Sequence, residues 1–390
     1  MKITGIVCEY DPFHNGHRYL IERARETGDA IVCVMSGSFT ERGSMAIVDK
    51  YTRAEMAVRG GADLVLELPY PYSSASAEFF ASAGVSILAS IGAHRICFGS
   101  EQGDVSRLQR AAAVACQMTY SAEHETGTAE GYFAALGKAY ENAYGEAFCP
   151  GPNDILGVEY CKAILVNGYA IEPVAVKRQG DGFREDTVGA SSFASATAIR
   201  RLLRETGADG ISPYVPEETA ALLRRSISGG EAPTDVTRIE SAVLSFFRLT
   251  NPEALGHIAE LGGGLAHRLC EVARESVSLA DFLARAATKK YTDARIRRAV
   301  FYAMTGVTVD DLRFPVGYTT VLAANSVGCD ILSSLRKKEE GIPVVTKPAD
   351  GKTVCPRQYE LLLAADSLFT LAQPSTRPVG EYVRKNPVIL

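Results

Sequence analysis

Residues 3–21 read ITGIVCEYDPFHNGHRYLI, and the architecture follows from how that stretch is read. The run from Ile3 to Cys8 is short, apolar and rich in β-branched residues, the composition of a strand buried on both faces. Asp11-Pro12-Phe13 makes a turn, and a helical pattern begins near His17, with Tyr19, Leu20 and Ile21 behind it. Between strand and helix stands His14-Asn15-Gly16-His17. A strand that passes through a glycine-bearing turn into a helix presents unpaired backbone N–H groups and the positive end of the helix dipole, which together suit a phosphate. Two imidazoles three residues apart can both donate to oxyanions whose charge grows as a phosphoryl bond changes hands. Taken alone, such a pair also fits a surface turn or a chance zinc-ligand spacing; the flanking strand and helix favour phosphate.

Strand and helix signals alternate onward to about residue 200. Ala30 to Met35, Asp63 to Leu68 and Arg95 to Phe98 read as strands, with Ala170 to Val176 as a fifth; 46–59 and 75–90 read as helices. Residues 104–148, rich in Ala, Glu and Tyr, read as helices inserted between strands. This alternation predicts an α/β fold, a doubly wound Rossmann-like parallel sheet over residues 1–204, with ligands at the carboxyl ends of the strands. From 205 to 390 the pattern becomes mainly helical, as at 217–226, 237–248 and 278–287. A chain of 390 residues accommodates two or three domains, and 46% hydrophobic with 22% charged residues is an ordinary soluble composition. No window approaches the ~18 to 20 apolar residues of a membrane span, and Met-Lys followed at once by a strand lacks a secretory signal's apolar region. The nine cysteines form no CxxC pair, and Cys8, Cys33 and Cys97 fall inside strands. They read as reduced, buried thiols of a cytoplasmic protein, not as disulfides or a zinc site. A net charge of −5 does not mark a nucleic-acid binder, so any RNA-facing surface must be local.

Three further constellations fall near predicted strand or helix ends. In Ser36-Gly37-Ser38-Phe39-Thr40-Glu41-Arg42-Gly43 the small residues permit close backbone approach and Arg42 can grip an anion, although a plain solvent loop reads the same way. Pro152-Asn153-Asp154 is ordinary helix-cap chemistry, with Asn153 also suited to an adenine edge or a ribose. Ser191-Ser192-Phe193-Ala194-Ser195-Ala196-Thr197-Ala198-Ile199-Arg200 puts hydroxyls at a helix start and an arginine one turn in. That makes either a second anion site, aimed at a departing pyrophosphate, or a simple Ser/Thr cap with a surface arginine.

His14, Gly16 and His17, directly after a first strand, resemble the HxGH signature of the nucleotidyltransferase superfamily. More closely, GIVCEYDPFHNGH (5–17), SGSFTERG (36–43), GADLVLELP (61–69), FGSE (98–101), PNDILGVEY (152–160) and SATAIR (195–200) resemble, in order and approximate spacing, the bacterial tRNA(Met) cytidine acetate ligase family. The resemblance continues more weakly through Lys289-Lys290-Tyr291-Thr292 and Arg295-Ile296-Arg297-Arg298. It implies a ligase that uses ATP to activate acetate as acetyl-adenylate. The acetyl group then passes to the wobble cytidine of elongator tRNA(Met), giving N4-acetylcytidine and releasing AMP and pyrophosphate. It further implies His14, His17, Ser195 and Arg200 as catalytic residues. Thr197 with Val7, Glu9, Tyr10, Pro12, Phe13, Asn15, Gly16, Leu20, Gly99, Asn153, Arg178 and Gln179 would line the ATP site. No side chain is assigned to a metal, and Mg2+ is the usual companion of ATP. Two departures stand out. Asp11 replaces the family's usual Asn, placing a carboxylate that either recruits a metal or faces away. Glu41 and Ser44-Met45 replace a usual Gln and Glu-Pro.

A tRNA surface should combine cations with aromatics, because phosphates set affinity and unpaired bases stack. Residues 285–298 hold Arg285, Lys289, Lys290, Arg295, Arg297 and Arg298 against one acid, Asp293, with Tyr291 among them. Lys289, Lys290, Tyr291, Arg295, Arg297 and Arg298 are accordingly expected to contact tRNA, the alternative being a solvated helix face. Arg336-Lys337-Lys338 is a smaller cluster. Two other functions fit the motifs: a nucleotidyltransferase that makes a dinucleotide-type cofactor of the pantetheine or nicotinamide kind, and a non-catalytic ATP- or RNA-binding regulator. Chains of the first kind are usually shorter and lack a helical half with a basic patch.

Overall fold

The computed structural model describes residues 1–118, 129–179, 192–337 and 340–390. Parallel strands β1 (Ile3–Cys8), β2 (Ala30–Ser36), β3 (Leu64–Leu68), β4 (Arg95–Ser100) and β5 (Glu172–Lys177) lie side by side in the order β5-β4-β1-β2-β3. Every residue of β2 and β3 is buried, which is why they read as unbroken apolar runs. Along β2, Ile31, Cys33 and Met35 enter one core while Ala30, Val32 and Val34 enter the other, as a sheet covered on both faces requires. Helices α1 (Asn15–Arg25) and α2 (Lys50–Arg59) cover the first face. Helices α3 (Ala77–Ser90), α4 (Val105–Gln117), α5 (Ala129–Tyr144) and α6 (Pro152–Asn167) cover the second. The expected Rossmann-like α/β fold is therefore present. The start of α2 is set by Asp49, whose Oδ1 accepts from the N–H of Tyr51 (3.0 Å) and Thr52 (3.2 Å), so this helix begins at Lys50 and not at Ala46.

From β1 the chain winds outward to β2 and β3, then returns to β4 and β5 on the other side. The reversal falls between β1 and β4, and the crevice beyond their carboxyl ends is where this topology places a ligand.

The second half begins with α7 (Ala196–Gly210, kinked at Gly207) and continues through α8 (Glu217–Ser228), α9 (Glu240–Leu249), α10 (Leu265–Glu275), α11 (Leu279–Ala286) and α12 (Asp293–Thr305). It then returns to the sheet. Strand β6 (Thr319–Ala324), wholly buried, lies antiparallel to β3, and the short strands β7 (Val344–Val345) and β8 (Val388–Ile389) pair with β6. Helices α13 (Val309–Arg313), α14 (Ser326–Leu335), α15 (Gly351–Val354), α16 (Pro356–Leu371) and α17 (Gly380–Arg384) complete it. The expected division into 1–204 and a mainly helical 205–390 is thus one of secondary-structure content and not of cores. One hydrophobic core runs from Ile6 and Ile31 to Phe247, Phe282 and Phe369. A buried ion network ties the halves: Lys50 Nζ donates to Glu67 Oε1 (2.7 Å) and Asp366 Oδ2 (3.0 Å), and Ser38 Oγ donates to Asp366 Oδ1 (2.6 Å). Burial opposes the Lys50 charge, but the two carboxylates outweigh it and hold its pKa above the ordinary lysine range.

All nine cysteines are free; Cys33, Cys97, Cys161 and Cys270 are buried as expected, whereas Cys116 and Cys149 are exposed. Among the described residues no helix is long and apolar enough to cross a membrane.

Candidate active site

After β1 the backbone turns through Tyr10, at a φ of +48°, and a cis Asp11–Pro12 peptide into α1. His14 caps that helix: its Nδ1 accepts from the Gly16 N–H at 3.1 Å, and its own N–H donates to His17 Nδ1 at 3.3 Å. Two imidazoles here fill the positions that a hydroxyl and a carboxylate hold in the usual capping box. The rings stack with centroids 3.6 Å apart. A Cβ on residue 16 would lie 2.9 Å from His14 Cε1, so glycine lets the ring fold back over the helix end. Burial, aided by Arg178 and Arg200, lowers the His14 pKa to about 3. Burial, with His14 and Arg178, holds His17 well below its ordinary range. Both rings are therefore neutral near pH 7. Because each Nδ1 accepts a hydrogen bond, the network assigns the proton of each to Nε2, which gives two N–H donors at a helix N-terminus.

The second expected anion site lies beside the first. Arg200 Nη1 donates to the Asp11 carbonyl at 2.7 Å and pairs with Asp11 Oδ2 at 3.4 Å, while its Nη2 donates to Thr197 Oγ1 at 3.2 Å. Ser195 caps α7, its Oγ accepting from the Ala198 N–H at 3.1 Å. Asn15 Nδ2 reaches across to the carbonyls of Ser192 (3.0 Å) and Pro213 (3.1 Å). Asn15, expected to touch ATP, is thereby engaged in holding the two segments together. Ser191 lies outside the described residues.

A third wall comes from the ends of β4 and β5. Glu101 accepts from Asn153 Nδ2 (2.6 Å) and from the N–H groups of Asn153 (3.1 Å) and Asp154 (2.8 Å), so it fastens the start of α6. Burial alone would raise the Glu101 pKa; these hydrogen bonds outweigh it and hold it low. Arg178, exposed, donates to Asn153 Oδ1 at 2.9 Å, and Gln179 donates to the Tyr19 hydroxyl at 3.0 Å. At Gly99 a Cβ would meet Arg178 Cγ at 3.4 Å, an ordinary contact. His14, His17, Gly99, Asn153, Arg178, Gln179, Ser195, Thr197 and Arg200 thus surround the β1–β4 crevice.

The remaining expected ATP-lining residues lie beneath it. Val7, Tyr10, Pro12 and Phe13 are buried; Tyr10 bonds through its hydroxyl to Cys33 Sγ at 3.3 Å and packs its ring against His17. Leu20 is half-buried against the first core. The Asp11 carboxylate faces inward, accepting from the Ile47 N–H at 2.6 Å as well as pairing with Arg200, so its departure from the family pattern serves the scaffold. Arg53 was not singled out in the sequence. It is fully buried, and its guanidinium donates to the carbonyls of Glu9 (2.6 Å), Val48 (3.1 Å) and Gly37, stapling the loops after β1 and β2 together. Nothing in the sequence marks it, because Lys50, Glu55 and Arg59 make α2 read as an ordinary charged helix.

The basic segment divides in two. Tyr291, Arg295 and Arg298 point into the protein: Tyr291 donates to the Gly263 carbonyl, and Arg295 bonds the Glu260 carbonyl (3.2 Å) and pairs with its carboxylate (3.4 Å). Arg298, 9% exposed, donates to Glu260 Oε1 at 2.9 Å. Lys289 and Lys290 are exposed, although Lys290 Nζ also reaches the Gly263 carbonyl (3.1 Å). Arg297 is half-exposed, 3.6 Å from Asp293. The segment abuts the loop after β2, for a Cβ on Gly43 would lie 2.7 Å from the Arg298 nitrogen. Lys338 lies outside the described residues.

A doubly wound sheet whose first helix opens on paired neutral imidazoles, with two arginines beside them, defines a nucleotidyltransferase of the HxGH class. The family model described as HIGH Nucleotidyl Transferase matches residues 1–381. Two curated relatives are each called tRNA(Met) cytidine acetate ligase. That of Acetivibrio thermocellus is 33% identical, covering all of both chains, and that of a Thermoanaerobacter species is 31% identical over 97% of this chain and 98% of its own. A crystal structure of Thermotoga maritima TmcAL bound with alpha-thio ATP superposes with a TM-score of 0.90 at 31% identity over the whole of both chains; the apo form gives 0.89 at 32%, with the same coverage. The chain belongs to the tRNA(Met) cytidine acetate ligase family.

Proposed function

We propose that this protein joins acetate to the wobble cytidine of elongator tRNA(Met) at the expense of ATP, in two steps on one site. In the first, an acetate oxygen attacks the α-phosphorus in line as pyrophosphate departs, giving acetyl-adenylate. In the second, the exocyclic amine attacks the acetyl carbon and AMP leaves. Such chemistry asks the protein mainly to position reactants and to meet developing charge. The Nε2–H donors of His14 and His17 would hold the α-phosphate oxygens. Ser195, Thr197, Arg200 and Arg178 would take the β- and γ-phosphates, with Asn153 and Gly99 on the nucleoside side. The observation that carries this reading is the adjacency of the two anion-binding segments, joined by Arg200 to the Asp11 carbonyl and by Asn15 to that of Ser192. Lys289, Lys290 and Arg297 would meet tRNA phosphates. Among the described residues no group of three His, Cys, Asp or Glu side chains could hold a metal ion; magnesium would enter with the ATP phosphates. Such a reaction would run in the cytoplasm, with the tRNA.

The test is to incubate the protein with ATP, isotopically labelled acetate and elongator tRNA(Met), then weigh the nucleosides after digestion. Labelled N4-acetylcytidine, together with acetate-dependent exchange of pyrophosphate into ATP, is expected. Exchange that answers to phosphopantetheine or nicotinamide mononucleotide and ignores acetate would overturn it.

A further inference from the structure

Attack by the cytidine amine leaves a proton that must go somewhere, and most polar groups at the crevice are already committed. Both histidine Nδ1 atoms accept hydrogen bonds and their Nε2 atoms carry protons. Asp11 is engaged by Ile47 and Arg200, Glu101 by Asn153 and Asp154, and the Tyr10 hydroxyl by Cys33. Glu9 differs. It is the first residue after β1, partly exposed, and one carboxylate oxygen accepts from the Glu41 N–H at 2.7 Å. Among the described residues its other oxygen receives no hydrogen bond; Asp154 Oδ2 is also open, but it is buried at the start of α6 behind Ser100 and Glu101. The backbone of Glu9 is fixed by Arg53, so the carboxylate stands on a rigid base. It also leans toward the side from which RNA would come, because the loop that holds it, 36–45, packs on the basic helix α12 at Gly43. Burial raises the pKa of the neighbouring Glu41 as well, but that carboxylate lies among Arg298, Arg42 and Glu260, beside α12.

We propose that Glu9 is the catalytic base of the second step, an assignment that rests on the two-step reading above. As the amine nitrogen bonds to the acetyl carbon, the bond from that carbon to the adenylate oxygen breaks, AMP leaves with the electron pair, and the amine proton passes to the open Glu9 oxygen. The charged groups facing Glu9 are Glu41 in the loop, Asp11 in the turn, Arg200 on α7 and Arg53 on α2, with the Tyr160 hydroxyl on α6. Burial dominates among these influences and raises the Glu9 pKa to about 7, against the hydrogen bond from Glu41 and the charge of Arg200. A base poised there is deprotonated in a useful fraction at neutral pH and still accepts a proton readily.

The experiment supplies preformed acetyl-adenylate and tRNA to the wild type and to Glu9→Gln in single turnover, and measures acetate-dependent exchange separately. Wild-type transfer should climb with pH through a midpoint near 7. Glu9→Gln should lose that limb and transfer about 100-fold more slowly, a loss at least tenfold greater than any loss of exchange. Transfer by Glu9→Gln at the wild-type rate, or with the limb intact, would overturn the assignment, as would equal losses in transfer and exchange. Should the variant misfold, a flat wild-type transfer profile between about pH 6 and 8 would overturn it as well. Wild-type protein that makes no acetylcytidine at all would instead sink the two-step reading.

Discussion

Neutral imidazoles are a restrained way to hold a polyanion. On the proposed mechanism, N–H donors fixed at the α-phosphate would meet the charge that builds on its oxygens without the desolvation cost of two buried imidazolium ions. His17→Ala should therefore slow acetate-dependent exchange by about 10²- to 10³-fold and leave tRNA binding nearly intact; equal loss of both would make the helix start a purely structural device. Keeping His14 neutral also costs stability in acid. Its folded pKa, about 3, lies below the ordinary 6.5, so the unfolded chain takes up the proton first. The stability belonging to the buried neutral ring is complete above 6.5 and drains away as pH falls toward 3. His14→Asn keeps an acceptor for the Gly16 N–H and removes the titration. Its melting temperature should thus fall less than the wild type's between about pH 7.5 and 5, as followed by thermal unfolding.

At the scale of elements, the segment running from Lys289 into helix α12 separates two uses of positive charge that composition lumps together. Arg298→Ala leaves Glu260 without its closest partner in a mostly buried setting and should cost roughly 3 kcal/mol of stability, seen in denaturant unfolding. Replacing Lys289 and Lys290 by Ala should barely move stability, and should instead weaken tRNA binding and reduce the slope of log affinity against log salt by about 1 to 2. An unchanged slope would remove these lysines from the RNA surface. The sequence announced the charge and its place but not its direction, because whether an arginine points in or out depends on Glu260, more than thirty residues away. The same limit applies to Asn15, whose partners Ser192 and Pro213 are distant in sequence. The histidines, by contrast, were legible, since strand, turn and helix start are contiguous and their geometry is local.

Taken whole, the molecule is less divisible than its secondary structure suggests. The first strands were readable from buried apolar runs, but β6 is not among the expected ones: Thr319–Ala324 is a short run set among helices, and its antiparallel partner β3 lies some 250 positions earlier. A fragment of residues 1–204 would expose the edge of β3, every residue of which is buried in the full chain, and strip the partner Asp366 from the buried Lys50. Expressed alone it should aggregate or bind a hydrophobic dye without a cooperative melt. A monomeric fragment with a sharp transition would show that the first half stands unaided.

The contact between Arg200 and Asp11 bears on which anions the crevice accepts. A guanidinium that already leans on a carboxylate must trade one neighbour for another when ligand arrives, so a lone orthophosphate gains little by displacing it. A triphosphate that spans both segments recovers the loss at its far end. If the two segments hold a triphosphate as proposed, the crevice would be biased against the small anions that crowd any cell and would discriminate by the length of the phosphate chain more than by charge alone.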